Sequence, residues 1–214
     1  MRALLSFCAN RDIFVMIDET YVEFASSVQE VTAVPYTKDF SNLMVLRGVS
    51  KFYAAPGMRF GYGITGNKEF LSQMKEKQIP WSLNSLGAYA GEQMFKDTSY
   101  IRQTRALILT ERDRMFLELK KMSSFKVYFP YGNFILVKIL KPEVTSFDVF
   151  EACIKEGLMI RDCSSFQCLD GEFIRFCIMK PEDNDQLLKS IRKQFNDTKV
   201  KRSETTGACT KVFT

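Results

Sequence analysis

Ile13-Phe14-Val15-Met16-Ile17-Asp18-Glu19-Thr20-Tyr21 is the segment on which the fold turns. Its first five residues are a continuous apolar run of strand length, and the run stops at two carboxylates. An apolar strand without polar alternation predicts a parallel strand covered on both faces. The C-terminal edge of such a sheet is where α/β folds place their ligands, and Asp18 and Glu19 stand there. Leu43-Met44-Val45-Leu46 repeats the pattern downstream, and Phe60-Gly61-Tyr62-Gly63-Ile64 supplies a third run.

Between and beyond these runs the period changes. Residues 67–79 read as a helix, with Phe70, Leu71 and Met74 on one side and Lys68, Lys75 and Lys77 among the polar positions. The stretch 83–122 has no proline and only two glycines, which predicts one or two long helices bridging two structural units. Val127-Tyr128-Phe129 and 133–139 read as strands around the turn signal Pro130-Tyr131-Gly132. Residues 146–157 read as a helix, with Phe147, Phe150 and Ile154 at helical spacing and Gly157 closing it. Leu158-Met159-Ile160-Arg161 and Phe173-Ile174-Arg175-Phe176-Cys177-Ile178 are strand-like. Pro181 opens a last helix whose Leu187, Leu188, Ile191 and Phe195 share a face. The expected architecture is α/β in two units, 1–105 and 106–196, followed by a disordered tail over 197–214.

Composition removes several classes of function. The chain contains no histidine, which excludes His-based triads, His proton shuttles and most catalytic zinc sites; no metal is expected. The net charge of +5 comes from 30 basic and 25 acidic residues interleaved along the chain. The one basic run, Lys199, Lys201 and Arg202, reads as a solvated tail, so nucleic acid is not an expected partner. No stretch is long and apolar enough to span a membrane. The N-terminal apolar residues are interrupted by Asn10, Arg11 and Asp12 too early for a secretory signal, and a cytoplasmic location is expected. The six cysteines (8, 153, 163, 168, 177 and 209) show no CxxC spacing and read as reduced, mostly buried thiols.

Taken singly, the polar residues that stand out have ordinary explanations: Asp18 could cap a turn, and Lys51 and Arg59 could be solvated charges. Taken together they form a pattern. Asp18-Glu19-Thr20-Tyr21, then Ser50-Lys51, then Gly57-Met58-Arg59-Phe60-Gly61-Tyr62 resembles the fold-type-I aminotransferase superfamily, whose enzymes use pyridoxal phosphate. The D-x-x-Y, S-K and R-x-G-Y elements come in the family's order and spacing, and the resemblance covers residues 1–196. It implies a three-layer large domain with a mainly parallel sheet, of which this chain carries the C-terminal half, plus a small α/β domain.

The resemblance also implies roles. Lys51 is the lysine that bonds covalently to the cofactor aldehyde, a task for an amine that can be neutral. Asp18 faces the pyridine nitrogen and keeps it protonated, which maintains the electron sink. Tyr21 donates to the ring hydroxyl oxygen, Ser50 lines the cofactor site, and Arg59 pairs with the cofactor phosphate. In the second unit Arg175 matches the arginine that holds the substrate carboxylate. Arg161 resembles an arginine that contacts phosphate in the branch acting on phosphorylated amines and amino acids, although an ion pair with Asp162 or a neighbouring carboxylate would explain it equally well. Asn133, in Gly132-Asn133-Phe134, matches a further substrate-binding motif.

Two branches resemble the chain: threonine-phosphate decarboxylase of cobalamin biosynthesis and histidinol-phosphate aminotransferase. Pro80-Trp81-Ser82-Leu83-Asn84 and Lys51-Phe52-Tyr53-Ala54-Ala55-Pro56-Gly57 lean towards the first, although Trp81 could also be a core residue. The family's active sites lie at a subunit interface, which implies a homodimer. Two departures stand against the pattern. The resemblance begins in mid-domain, without the first two-fifths of a family member and the cofactor-cup residues found there. That predicts an open sheet edge and exposed apolar surface, and it leaves a non-catalytic remnant as a further alternative. Gly48 also occupies a position where the family places a phosphate-binding Ser or Thr.

Overall fold

In the computed structural model the described residues are 1–196, 211 and 212, and the chain divides into two compact units between Arg102 and Gln103. The first unit contains α1 (Arg2–Ala9), β1 (Val15–Asp18), α2 (Val28–Val31), β2 (Leu43–Gly48), β3 (Gly61–Ile64), α3 (Lys68–Lys77) and α4 (Ser85–Lys96). Helix α5 (Thr98–Lys120) starts there and ends in the second unit. The strands pair in the order β1-β2-β3. β1 runs parallel to β2, with Val15 opposite Leu43 and Asp18 opposite Leu46. β3 is antiparallel to β2, with Gly48 opposite Gly61.

The antiparallel β3 corrects the expectation of a third parallel run. Parallel neighbours need a crossover, usually helical. The connection after Gly48 holds only one turn of 3₁₀ helix, Pro56–Met58, so the chain returns antiparallel. Leu43 and Val45 of β2 are buried with Leu5 of α1 and Ala33, and Val15, Ile17, Phe40 and Ile64 pack around them. β1 was expected to be covered on both faces. Instead Val15 and Ile17 face this core while Met16, pointing to the opposite face, is 60% exposed.

The second unit contains β4 (Phe125–Val127), β5 (Phe134–Ile139), α6 (Ser146–Lys155), β6 (Leu158–Met159), β7 (Arg161–Asp162), β8 (Phe173–Cys177) and α7 (Pro181–Asn196). An antiparallel sheet of order β4-β5-β8-β7 buries Ile135, Val137, Ile174 and Phe176. Leu187, Leu188, Ile191 and Phe195 of α7 are buried as their spacing indicates. Helix α6 opens on a capping box between Thr145 and Asp148, and Gly157 follows its end at φ +76°. Its buried face consists of Ser146, Val149 and Cys153, while Phe147 points to solvent. Ser146 is held there because its N–H and hydroxyl reach Glu172 and its hydroxyl reaches Asp162.

The expected disordered tail lies outside the described residues except for β9 (Lys211–Val212), which pairs in parallel with β6. Cys8, Cys153, Cys163 and Cys177 are buried free thiols and Cys168 is exposed; Cys209 lies outside the described residues. Burial pushes the Cys153 thiol up to about 11, so it stays protonated at neutral pH. Among the described residues no helix is long and apolar enough to cross a membrane.

Candidate active site

Strand direction assembles the first group of residues. Asp18 ends β1, and Ser50 and Lys51 follow the end of β2, so the parallel pairing puts them at one edge of the sheet. Arg59 precedes β3, and because β3 runs the other way its beginning lies at that same edge, Gly48 being opposite Gly61. Backbone bonds seal the edge: Glu19 N–H donates to the Leu46 carbonyl at 2.8 Å and Val49 N–H to the Phe60 carbonyl at 3.3 Å. The Asp18 carboxylate accepts the Thr20 N–H at 2.9 Å. Tyr21 leads into the 3₁₀ turn Val22–Phe24, and the Lys51 ammonium stands 5.7 Å from the centre of its ring.

Lys51 is exposed, but its neighbour Phe52 is 2% exposed and anchors the loop. The Phe52 ring contacts Phe24 and Tyr53 at centroid distances of 5.3 and 5.2 Å, and its carbonyl accepts the Tyr100 hydroxyl at 2.9 Å. Tyr53 stacks on Tyr100, and burial pushes its hydroxyl up to about 12, so it remains neutral. Among the described residues Lys51 and Asp18 form no ion pair. Their charges are available to a ligand.

Sequence reading noticed Glu19 but missed what it does. Glu19 is 6% exposed and forms a salt bridge at 2.9 Å with Arg47 of β2. It also accepts from the Thr32 hydroxyl at 2.8 Å and from the Ala33 N–H. Burial acts to lower the Arg47 pKa, but the hydrogen bond to Glu19 and the nearby negative charge outweigh it and hold the value above the ordinary one. The network ties the ends of β1 and β2 together. The available signal was Arg47 itself, a charge ending the apolar run Leu43-Met44-Val45-Leu46, which requires a partner once buried.

A Cβ at Gly48 would lie 3.3 Å from the Phe60 carbonyl oxygen, tighter than ordinary contact, so a larger residue there would need β3 to give by a few tenths of an ångström. Arg59 adopts φ +50°, ψ 44°, left-handed backbone that non-glycine residues seldom take, and its guanidinium folds back onto the Pro56 carbonyl at 3.0 Å.

The second group lies in the other unit. Arg161 of β7 and Arg175 of β8 are direct cross-strand partners, and both guanidinium groups lie over the Phe166 ring, at 5.4 and 6.0 Å from its centre. Arg175 also lies 5.0 Å from the centre of Phe134. The ion pair with Asp162 that could have explained Arg161 does not form. Arg161 donates to the Ser165 hydroxyl at 3.2 Å, and Asp162 is occupied by Ser164 and Ser146. Burial opposes the Asp162 charge, but those hydrogen bonds, with the nearby Arg161 charge, outweigh it and hold its pKa below the ordinary range. Like charges placed opposite each other across a sheet destabilise it unless an anion lies between them. Asn133 ends the turn before β5; its carbonyl accepts the Ile178 N–H at 2.7 Å, and its Oδ1 is buried without a hydrogen-bond partner.

The chain belongs to the aminotransferase class I and II family, whose profile matches residues 1–191. It is 28% identical over 192 residues to a threonine-phosphate decarboxylase from Salmonella typhimurium, an alignment covering 90% of this chain and 51% of that protein. It is 36% identical over 182 residues to a histidinol-phosphate aminotransferase from Dehalococcoides mccartyi, covering 82% and 47%. The crystal structure of a histidinol-phosphate aminotransferase from Clostridium acetobutylicum superposes with a TM-score of 0.84 at 33% identity, covering 91% of this chain and 57% of that one. The chain thus spans about half the length of the curated relatives it matches. Enzymes of this family use pyridoxal phosphate. The groups on the first unit's sheet edge fit that cofactor chemically: an unpaired amine for its aldehyde, a carboxylate for its ring nitrogen, a phenol for its ring hydroxyl and a guanidinium for its phosphate.

Proposed function

We propose that this chain is the lysine-bearing part of a pyridoxal-phosphate enzyme that acts on a phosphorylated amino acid or amine. The observation that carries the reading is the strand register that gathers Asp18, Lys51 and Arg59 at one sheet edge. When bound, the cofactor supplies an electron sink for bonds breaking at the substrate's α-carbon. Lys51 would hold the cofactor covalently, and its amine is the group placed to move a proton at the substrate's α-carbon. Asp18 keeps a proton on the ring nitrogen, Tyr21 donates to the ring hydroxyl oxygen, and Arg59 pairs with the phosphate, with Ser50 lining the site beside it. Arg175 binds the substrate carboxylate and Arg161 its phosphate, while Asn133, with its buried unpaired Oδ1, offers a further polar contact.

Two facing guanidinium groups suit a substrate with two anionic groups, such as threonine phosphate with its carboxylate and phosphate. Decarboxylation of such a substrate, in cobalamin biosynthesis, is therefore the leading reading. Transamination of histidinol phosphate is the alternative, favoured by the superposition on the Clostridium structure. The test supplies threonine phosphate and, separately, histidinol phosphate with 2-oxoglutarate. Release of CO₂ from the first is expected, and replacing Arg161 with alanine should weaken binding of the phosphorylated substrate about tenfold or more. Glutamate formed from histidinol phosphate, with no CO₂ from threonine phosphate, would replace the lead with the alternative. No activity towards either, together with no bound cofactor, would leave the non-catalytic remnant.

The enzyme is further proposed to work as a cytoplasmic homodimer. Ile79, Trp81, Leu86 and Tyr89 are exposed in succession, and Trp81 at 96% offers a partner a large apolar surface. Active enzyme sedimenting as a monomer would sink the dimer.

A further inference from the structure

Helix α4 grips the Arg59 turn from both sides. The Asn84 side chain caps the helix by accepting the Gly87 N–H at 2.6 Å, while its Nδ2 donates to the Met58 carbonyl at 3.1 Å. Residue 58 is thereby fastened to the start of α4. On the other side, Phe60 lies against Gly91 so closely that a Cβ on Gly91 would come within 2.5 Å of its ring. Gly87 permits the same closeness at Met58, whose carbonyl oxygen would be 3.0 Å from a Cβ there. Arg59, between two held neighbours, keeps a left-handed backbone that an arginine in a free loop would abandon.

We propose that Asn84 is a positioning residue for Arg59: its hydrogen bond to Met58 fixes the turn in which the guanidinium meets the cofactor phosphate. The proposal rests on the reading of Arg59 as the phosphate contact. It gives Asn84 two separable duties, since the oxygen serves the helix and the nitrogen serves the turn. Asn84→Asp separates them. An aspartate is as good a helix cap, but it cannot donate, and it sets a carboxylate oxygen against the Met58 carbonyl.

The experiment uses the 214-residue chain, its Asn84→Asp variant and, as a control, Arg59→Ala. Amide hydrogen exchange is followed without cofactor, and binding of pyridoxal phosphate is compared with binding of pyridoxal, which lacks the phosphate. In Asn84→Asp, amides 58–60 should exchange about tenfold faster while the α4 amides stay protected. Affinity for pyridoxal phosphate should fall about tenfold and that for pyridoxal stay constant. Unchanged exchange at 58–60, or equal losses for both ligands, would overturn the proposal while Arg59→Ala still lost the phosphate preference. A wild-type chain that does not prefer pyridoxal phosphate to pyridoxal, or an Arg59→Ala variant that keeps the preference, would overturn the Arg59 reading and this proposal with it.

Discussion

Replacing Lys51 with alanine is expected to abolish covalent attachment of pyridoxal phosphate. Attachment requires a primary amine at the point where the cofactor's aldehyde lies, and no side chain other than lysine supplies one. Lys51 is placed for this by its position just after β2 and by Phe52, whose burial pins the following residue of the loop. The ammonium faces the Tyr21 ring and forms no salt bridge among the described residues, so no bound carboxylate must be displaced first. Incubation with the cofactor, borohydride reduction and peptide mass spectrometry check the outcome. The adduct should sit on Lys51 in the wild-type chain and vanish in Lys51→Ala. An adduct spread over surface lysines in both proteins would refute the assignment.

The second large effect is on stability. Glu19→Ala should destabilise the first unit by about 3 kcal/mol, because it leaves the Arg47 guanidinium, the Thr32 hydroxyl and the Ala33 N–H without their shared acceptor. The lower end of the range for broken buried pairs applies, since the Arg47 side chain retains 18% of its surface in water. Glu19→Gln, which keeps shape and one acceptor oxygen, should lose less. Urea denaturation measures both, and a loss below about 1 kcal/mol for Glu19→Ala would show that water replaces the carboxylate.

Most strands and the two long helices were legible because their signals are local, although the strand expected at Val127-Tyr128-Phe129 lies at Phe125–Val127 instead. Apolar runs and the absence of proline do not depend on the rest of the chain. The direction of β3 was not legible from its own residues; it follows from what the loop before it lacks. Burial of β1 was misread for a related reason: composition reports what a strand can tolerate, whereas exposure of Met16 depends on which neighbours are present. Asp18, Tyr21, Lys51 and Arg59 could be picked out only as a set, through family resemblance. Of the supports around them only Arg47 left a signal; Thr32 and Asn84 gave no sign of their partners, since a threonine or asparagine in a loop does not announce a partner 13 to 26 residues away. Facing arginines across β7 and β8 depend on strand register, which the loop between them concealed.

The return of β3 alongside β2 also bears on the order in which the chain can organise itself. The loop 49–60 that joins these two strands is half as long as the segment 19–42 that joins β1 to β2. Closing the longer one costs about 0.6 kcal/mol more in chain entropy, and it must also form the helical turns of α2 and the 3₁₀ segment Val34–Lys38 on the way. The shorter closure therefore has the lower barrier. Lys51 and Arg59 are therefore expected to reach their common edge before Asp18, which comes by the longer route; φ-values for β1 as high as those for β3 would contradict that order.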